Sequence, residues 1–397
     1  MNKTQLVNVK PPCIYYERCG GCQLQHLSNE SQNQVKQEIA EKYLSSFGKV
    51  EDILVMEHPY EYRNKIQYSF GYGRKKELIA GMYAENSHSI IDIDQCIIQD
   101  PRADRIIHTI KKIMKKYKME PYQEDRETGF LRHVLIRTGF TTGEVMLVLV
   151  TAHSIFTGKK NFIQLLTKEH PEITTIIMNI NNRSTSMILG DKETTIYGKG
   201  YIEDILCGMR FRISSKSFYQ INPKQTEVLY NTALKMADFK GNERILDAYS
   251  GIGTISLIAA RQVREVIGVE VNPDGVRDAI KNAQTNQVTN VHFYKADAGE
   301  FMQELARRNE PIDAVIMDPP RSGSDETFLN SLCSLKPQKI IYISCNPETQ
   351  ARDLEYLLNH GYHVQKIQPV DMFPQTSHVE TCVLLSHKKS QASSPPL

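Results

Sequence analysis

A cysteine placed where a strand ends is the first residue of this chain whose chemistry needs an explanation. The stretch KIIYISCNPETQ, residues 339–350, has the β-branched and aromatic content of an interior strand, and the turn at Asn346 and Pro347 stops that strand. Cys345 therefore lies at a strand end, which in an open α/β sheet is the edge where ligands bind. A thiolate there can act as a covalent nucleophile, although a strand-end cysteine usually serves packing.

A carboxylate near the C-terminus can complete such chemistry. The segment FPQTSHVETCVLLS places Glu380 just before the last predicted strand. A thiolate that adds to carbon 6 of a uracil makes carbon 5 nucleophilic, and a base must later remove the carbon 5 proton to release the enzyme. Cys345 and Glu380 are our candidates for nucleophile and base, and the alternative for Glu380 is a solvated turn residue.

A glycine-containing turn predicts a nucleoside pocket. The strand RILDAY runs into SGIGTISLIAA, so Asp247 is followed by Gly251, Gly253 and a helix that can face a ligand. Glu270 ends the next predicted strand and can accept both ribose hydroxyls, and Asp297 after the following strand can reach an adenine amine.

The same region disfavours a dinucleotide. Ser256 stands where the fingerprint would have its third glycine, so NAD is disfavoured. Asp318, followed by Pro-Pro-Arg, closes the fourth strand, and such a corner is typical of S-adenosylmethionine methyltransferases that act on bases. The alternative is a set of ordinary α/β loop residues.

Four cysteines near the N-terminus have the spacing of metal ligands. Cys13, Cys19 and Cys22 form a C-x5-C-x2-C pattern, and Cys96 lies downstream. Four thiolates can hold a tetrahedral zinc or an iron–sulfur cluster, and spacing does not separate the two.

The alternation of strands and helices predicts the architecture. The last third should form a doubly wound, Rossmann-like α/β domain, preceded by an α+β central domain and a cysteine-rich segment. We predict residues 1–28 as the cysteine-rich segment, 29–54 as a helical segment packing on the last domain, 55–218 as the central RNA-binding domain, 219–387 as the methyltransferase domain and 388–397 as a disordered tail.

The amino-acid composition excludes few classes of function. The 48 basic and 46 acidic residues leave a net charge of +2, which argues neither for nor against nucleic acid. The N-terminus lacks a signal-peptide pattern and no apolar run is long enough to cross a bilayer, so we expect a cytoplasmic protein with reduced cysteines.

Several motifs together resemble the RNA uracil-5-methyltransferase family. They are DAYSGIGTISL, GVEVNPDGVRDAIKNAQTN, DPPR, YISCNPET, QPVDMFPQTSHVE and SFYQINPKQTEVLY, within a match from about Pro11 to Leu385. The resemblance implies that Cys345 is the nucleophile and Glu380 the base. It also implies a cofactor pocket for S-adenosylmethionine made by Gln220, Tyr249, Gly251, Thr254, Glu270, Asp297 and Asp318, with Thr254 standing where many members have asparagine.

The resemblance also implies a metal centre and a substrate. The ribosomal RNA branch shows the four-cysteine pattern, which favours a structural [4Fe–4S] cluster on Cys13, Cys19, Cys22 and Cys96 and methylation of 23S ribosomal RNA. Many members of that branch carry an N-terminal RNA-binding β-barrel. Because twelve residues precede Cys13, we expect this barrel to be absent.

Two segments are candidates for RNA contact. YRNKIQYSFGYGRKK interleaves aromatic residues with cations that include Arg63 and Lys65, as single-strand binding requires. The alternative is a β-hairpin with core aromatics. GFLRHVLIRTG, with Arg132 and Arg137, resembles a family segment expected to face RNA.

Other functions remain as alternatives. They are a transfer RNA uracil methyltransferase, a non-catalytic RNA-binding or ribosome-assembly factor, and a cytosine carbon 5 methyltransferase. We expect a monomer, without membrane or protein partner, that acts on free or partly assembled large-subunit ribosomal RNA.

Overall fold

The computed structural model describes residues 5–85, 87, 89–183 and 187–387, so the predicted tail 388–397 lies outside the described residues. The helices are α1 Tyr16–Cys19, α2 Asn29–Leu44, α3 Pro101–Tyr117, α4 Lys159–Glu169, α5 Pro223–Ala237, α6 Thr254–Ala259, α7 Pro273–Thr285, α8 Ala298–Arg307, α9 Glu326–Leu335 and α10 Pro347–Asn359, with a 3-10 turn at Glu124–Arg126.

The strands fall into two groups along the chain. The earlier ones are β1 Lys65–Tyr72, β2 Leu78–Tyr83, β3 Ile90–Asp92, β4 Leu131–Thr138, β5 Val145–Thr151, β6 Ile173–Ile180, β7 Lys192–Gly198, β8 Ile202–Leu206 and β9 Met209–Ile213. The later ones are β10 Arg244–Asp247, β11 Glu265–Glu270, β12 Val291–Lys295, β13 Ala314–Met317, β14 Lys339–Ser344, β15 Tyr362–Val370 and β16 Glu380–His387.

The chain divides into two compact units. The first unit contains the chain up to Gln32, then Glu57–Lys224 and Pro374–Ser377. The second unit contains Asn33–Met56, Gln225–Phe373 and the chain from His378 onward. No helix among the described residues is long and apolar enough to cross a membrane.

The first unit is built on a seven-stranded sheet in the order β3-β2-β1-β4-β5-β6-β7, beside a β8–β9 hairpin. The apolar stripe of α3, with Ile106 and Ile110 fully buried, joins the core of this sheet. Tyr68 and Phe70 of β1 are also buried in that core, so the hairpin with core aromatics describes them correctly. Of the aromatics in β1, Tyr72 reaches the surface, at 42% exposure.

The second unit has the predicted doubly wound sheet. Its strand order is β12-β11-β10-β13-β14-β16-β15, and β10 to β14 run parallel. Strands β13 and β14 are continuous apolar runs because helices cover both faces of such a sheet. The strand order reverses direction between β10 and β13, and a crevice for ligands forms at that point.

A segment far away in the sequence belongs to this second unit. The Lys36 ammonium of α2 lies 2.5 Å from the Asp371 carboxylate, and both side chains are buried. The Leu54 amide donates to the Pro369 carbonyl at 3.0 Å beside β15. These contacts attach residues 33–56 to the end of β15.

Candidate active site

Four polar side chains gather at one edge of the second sheet. Asp247 ends β10, Asp318 follows β13 and Cys345 follows β14, and these three strands are parallel. Strand β16 starts at the same edge with Glu380 and runs antiparallel to β14, with Ser344 opposite Thr381. Continuing this register by one residue sets Cys345 opposite Glu380.

The turn after β14 fixes the position of the cysteine. The Asn346 side chain caps α10 by accepting a hydrogen bond from the Glu348 amide at 3.1 Å, and Pro347 takes the first helical position. The Asn346 amide nitrogen donates to the Ser344 hydroxyl at 3.1 Å. The sequence SCNP therefore turns a buried strand directly into a helix, with the half-buried Cys345 at the junction.

The surroundings of Cys345 favour the thiol over the thiolate. Burial, followed by the charges of Glu380 and Asp318, raises the pKa of Cys345 to about 11, while a hydrogen bond and the charge of Arg321 oppose the rise. The resting cysteine is therefore protonated at neutral pH, and its proton must leave before the sulfur can add to a base.

The two neighbouring carboxyls repel each other. Burial and then the charge of Asp318 raise the pKa of Glu380, which is 4% exposed. Burial and then the charge of Asp247 raise the pKa of Asp318. Such a pair cannot ionise fully near neutral pH without cost, so it holds at least one proton. A carboxyl with a raised pKa is suited to proton transfer.

Arg321 is a functional candidate that the sequence analysis did not place in the site. Its Nη2 lies 2.8 Å from His378 Nδ1, and its carbonyl accepts hydrogen bonds from the Asn346 side chain and from the Thr349 hydroxyl, each at 3.2 Å. Its charge opposes the rise in the pKa values of both Cys345 and Glu380. The signal available in the sequence was its position directly after Asp-Pro-Pro.

A cavity of about 290 Å³ opens beside these strand ends. Tyr249 and Phe328 form an aromatic wall with ring centroids 5.4 Å apart, and Glu270 and Asp297 also line the cavity. The Glu270 carboxylate accepts from the Gly251 amide at 3.0 Å and from the Asn272 amide at 2.7 Å, which fixes its orientation. Aromatic walls with a fixed carboxylate suit a nucleoside, so the cavity fits the adenosine part of S-adenosylmethionine.

The backbone conformation of the turn before α6 requires glycine at two positions. Gly251 and Gly253 have φ angles of +52° and +83°. A Cβ at Gly253 would lie 2.7 Å from the Phe293 ring, so a larger residue would displace the turn. Asp247 accepts a hydrogen bond from the Ser256 hydroxyl at 2.5 Å, which secures the start of α6 to β10.

The other predicted cofactor residues have different surroundings. Thr254 is the first residue of α6, and its hydroxyl lies 3.4 Å from that of Tyr230. Asp297 caps α8 by accepting from the Glu300 amide at 3.0 Å. Gln220 belongs to the first unit, where its carbonyl accepts a hydrogen bond from Asn64. Its cofactor role stays a prediction.

The four N-terminal cysteines line one cavity of the first unit. Cys13, Cys19, Cys22 and Cys96 surround it together with Arg63. Burial raises the pKa of Cys22 to about 11 and that of Cys96 to about 12, and neighbouring thiols add to both shifts. Within the described residues, no group of three or more histidine, cysteine, aspartate or glutamate side chains is arranged so that it could hold a metal ion.

The predicted RNA-contact residues differ in accessibility. Lys65 is exposed at the start of β1. Partial burial, followed by the charge of the nearby Arg137, lowers its pKa to about 8. Arg132 and Arg137 are each 4% exposed and donate to backbone carbonyls, Arg132 to those of Asn181 and Arg183. Their RNA contacts stay predictions, and substitution of either would also remove bonds inside the unit.

Comparisons with known proteins agree on one family. A family model described as tRNA (uracil-5-)-methyltransferase matches residues 28–388. A Staphylococcus aureus protein described as an uncharacterized RNA methyltransferase is 44% identical over 385 residues, covering 96% of this chain and 85% of its own length. A Bacillus cereus protein with the same description is 42% identical over 379 residues, covering 94% and 82%.

A solved structure extends the similarity to the fold. The crystal structure of the Pyrococcus abyssi tRNA (uracil-54, C5)-methyltransferase in complex with S-adenosyl-L-homocysteine has a TM-score of 0.76 and 28% identity to this chain. The alignment covers 92% of this chain and 86% of the Pyrococcus protein.

Proposed function

This chain belongs to the RNA uracil-5-methyltransferase family, and from that premise we propose that it methylates carbon 5 of a uridine in 23S ribosomal RNA through covalent addition of Cys345. The observation that supports the mechanism is the register of β14 and β16, which sets Cys345 opposite Glu380. Tyr249, just after β10 at the same edge of the sheet, lines the nucleoside-sized cavity.

The reaction proceeds in three steps at the target base: addition, methyl transfer and elimination. The Cys345 thiol releases its proton to solvent and its sulfur adds to carbon 6, which makes carbon 5 nucleophilic. S-adenosylmethionine supplies the methyl group, and its carbon–sulfur bond breaks as the bond to carbon 5 forms. Glu380 then takes the carbon 5 proton, the bond between carbon 6 and sulfur breaks, and the thiolate is regenerated.

We also propose that Cys13, Cys19, Cys22 and Cys96 hold a [4Fe–4S] cluster. All four line one cavity, which supports a shared centre. The four-cysteine pattern, which the resemblance associates with the ribosomal RNA branch of the family, favours a cluster over zinc. The polar reaction above transfers no electrons, so the role of the cluster is structural.

The choice of ribosomal RNA rests on the cysteine pattern. Transfer RNA is the rival substrate, because the Pyrococcus protein of similar fold is named for it. The comparison to run is methyl incorporation into protein-free large-subunit RNA, mature large subunits and bulk transfer RNA, followed by mapping of 5-methyluridine. We expect protein-free large-subunit RNA to be the preferred substrate. Preferential methylation of transfer RNA would overturn the assignment of the substrate while keeping the chemistry.

A further inference from the structure

A second large cavity lies in the first unit, on the side of the sheet formed by β1, β2 and β4. It has a volume of about 410 Å³. Its lining includes Tyr72, Tyr83, Tyr122, Gln123, Arg132 and His133. All its lining residues belong to the first unit, whereas Cys345 and Glu380 belong to the second. The uracil chemistry proposed above does not use this cavity.

Aromatic rings form much of the cavity wall. Tyr72 is 42% exposed and Tyr83 is 36% exposed, near the ends of β1 and β2. The Arg132 guanidinium lies 4.7 Å from the centre of the Tyr122 ring. The buried guanidinium holds the Tyr122 ring in place, and exposed flat rings such as those of Tyr72 and Tyr83 stack on unpaired nucleic acid bases.

One buried side-chain nitrogen at this cavity lacks a partner. The Nε of Arg132 is buried without a hydrogen-bond partner among the described residues. Beside it, His133 is 6% exposed and its Nδ1 lies 3.1 Å from the Ser69 hydroxyl. Buried polar groups are nearly always hydrogen-bonded, so an unpartnered one at a cavity supports a ligand with polar edges.

The charge of the cavity suits a base better than a phosphate. Glu124 and Asp125 balance Arg126 and Arg132. Burial and the neighbouring Arg132 lower the pKa of His133 to about 4, so its imidazole is neutral at physiological pH. A neutral ring nitrogen can hydrogen-bond a base edge.

The adjoining cavity has the complementary character. It measures about 350 Å³, shares Tyr72, and is lined by the cations Lys76, Lys115 and Lys118 together with Glu77 and Glu120. Its net charge is positive, as the path of a phosphate backbone requires. An aromatic cavity next to a lysine-lined groove is the arrangement that binds single-stranded nucleic acid.

We propose that the Tyr72–Tyr83 cavity binds one unpaired base of the RNA substrate, other than the target uridine, while its flanking phosphates follow the lysine groove. This inference rests on the proposed RNA methylation. It predicts that the enzyme prefers RNA with an accessible single strand near the target, since a paired strand cannot insert a base.

Tyrosine substitutions test the cavity in catalysis. Tyr72→Ala and Tyr83→Ala should each raise KM for protein-free large-subunit RNA about tenfold, because stacking of one base is lost. The kcat at saturating RNA and the Kd for S-adenosylmethionine should stay unchanged. Tyr72→Phe keeps the ring and should behave as wild type. Tyr197→Ala is the matched control, because Tyr197 has 39% exposure on β7 at the other edge of the sheet.

A binding probe separates this inference from the proposed function. The probe is a short single-stranded RNA without uridine that carries one 2-aminopurine, whose fluorescence falls on stacking. Wild type and Cys345→Ala should both quench it, and Tyr72→Ala should quench it much less. Equal quenching by wild type and Tyr72→Ala, or an unchanged KM in both tyrosine variants, would overturn the base site. A wild type that methylates no RNA but quenches the probe would overturn the proposed function alone.

Discussion

Cys345 and Glu380 face each other across two strands in a setting that resists charge. The thiol has a pKa of about 11, and burial and Asp318 raise the pKa of the glutamate. Both groups would be more stable neutral, yet the reaction needs a thiolate first and a carboxylate later. Arg321, the cation beside both groups, opposes each shift and so favours the reactive forms.

The buried glutamate should make stability depend on pH. Its pKa is raised above the ordinary 4.5, so its contribution to stability is complete below that pH and is lost as the pH rises through the folded-state value. Glu380→Gln removes this loss. We expect the variant to unfold at about the same temperature as wild type near pH 4.5, but on the order of 1 kcal/mol more stable, or about 2–4 °C, at pH 8.

Melting curves across pH measure this difference. The control is Glu355→Gln, because Glu355 is exposed in the middle of α10 and should leave the melting temperature unchanged. A Glu380→Gln variant that is less stable than wild type at pH 8 would show that the carboxylate is stabilised by the fold.

Local sequence patterns predicted the positions of some of these residues but not of others. The strand end at Cys345 and the glycine turn before α6 followed from apolar runs and turn residues. The adjacency of Cys345 and Glu380 did not, because it depends on the antiparallel pairing of β14 with β16. The burial of Arg132 and Arg137 could not be predicted from the sequence, because it depends on backbone carbonyls contributed by distant segments.

At the scale of elements, the turn between β14 and α10 carries the nucleophile. Asn346→Ala removes the cap of α10 and the hydrogen bond to the Arg321 carbonyl. The lost cap should cost about 1 kcal/mol. Displacement of Cys345 and Arg321 should lower kcat about tenfold or more, because small misplacements of reacting groups strongly reduce the rate. The Kd for S-adenosylmethionine should stay unchanged.

A second capping residue provides the matched comparison for this variant. Asn272 caps α7 by accepting from the Asp274 amide at 2.9 Å, away from the turn after β14. Asn272→Ala keeps the backbone amide that donates to Glu270, so it should lose similar stability but keep its kcat at saturating S-adenosylmethionine. Equal losses of kcat in the two variants would assign the effect of Asn346 to stability alone.

The elements themselves were partly predictable. Apolar runs located β10, β13 and β14. Strand β15 was not predicted, because His363, Gln365, Lys366 and Gln368 interrupt its apolar residues. Its place at the edge of the sheet comes from pairing with β16.

At the scale of the whole molecule, each of the two units is built from three separate segments of the chain. Residues 33–56 belong to the second unit, and Pro374–Ser377 to the first. The assignment of residues 33–56 to the second unit rests on long-range contacts such as the buried pair of Lys36 and Asp371. The cysteine cavity and the cofactor cavity lie in different units, so their losses should be separable.

The proposed cluster allows a test of whether the cysteine cavity and the cofactor cavity can be lost separately. Protein purified without oxygen should be brown and contain about four irons per chain. Cys19→Ser and Cys96→Ser should bleach it and destabilise the first unit, while S-adenosylmethionine still binds the second. Cys333→Ser, a change of a partly buried cysteine of the second unit, should keep the colour. A colourless wild type with one bound zinc would contradict the cluster.

The most direct test of the central claim is the covalent bond between Cys345 and the target base. RNA that carries 5-fluorouridine cannot lose its carbon 5 substituent as a proton, so elimination is blocked after methyl transfer. With S-adenosylmethionine present, wild type should form an RNA adduct that survives denaturing electrophoresis and maps to the peptide containing Cys345. Cys345→Ala should form no adduct and methylate no RNA. Methylation of ordinary RNA by Cys345→Ala would contradict the mechanism.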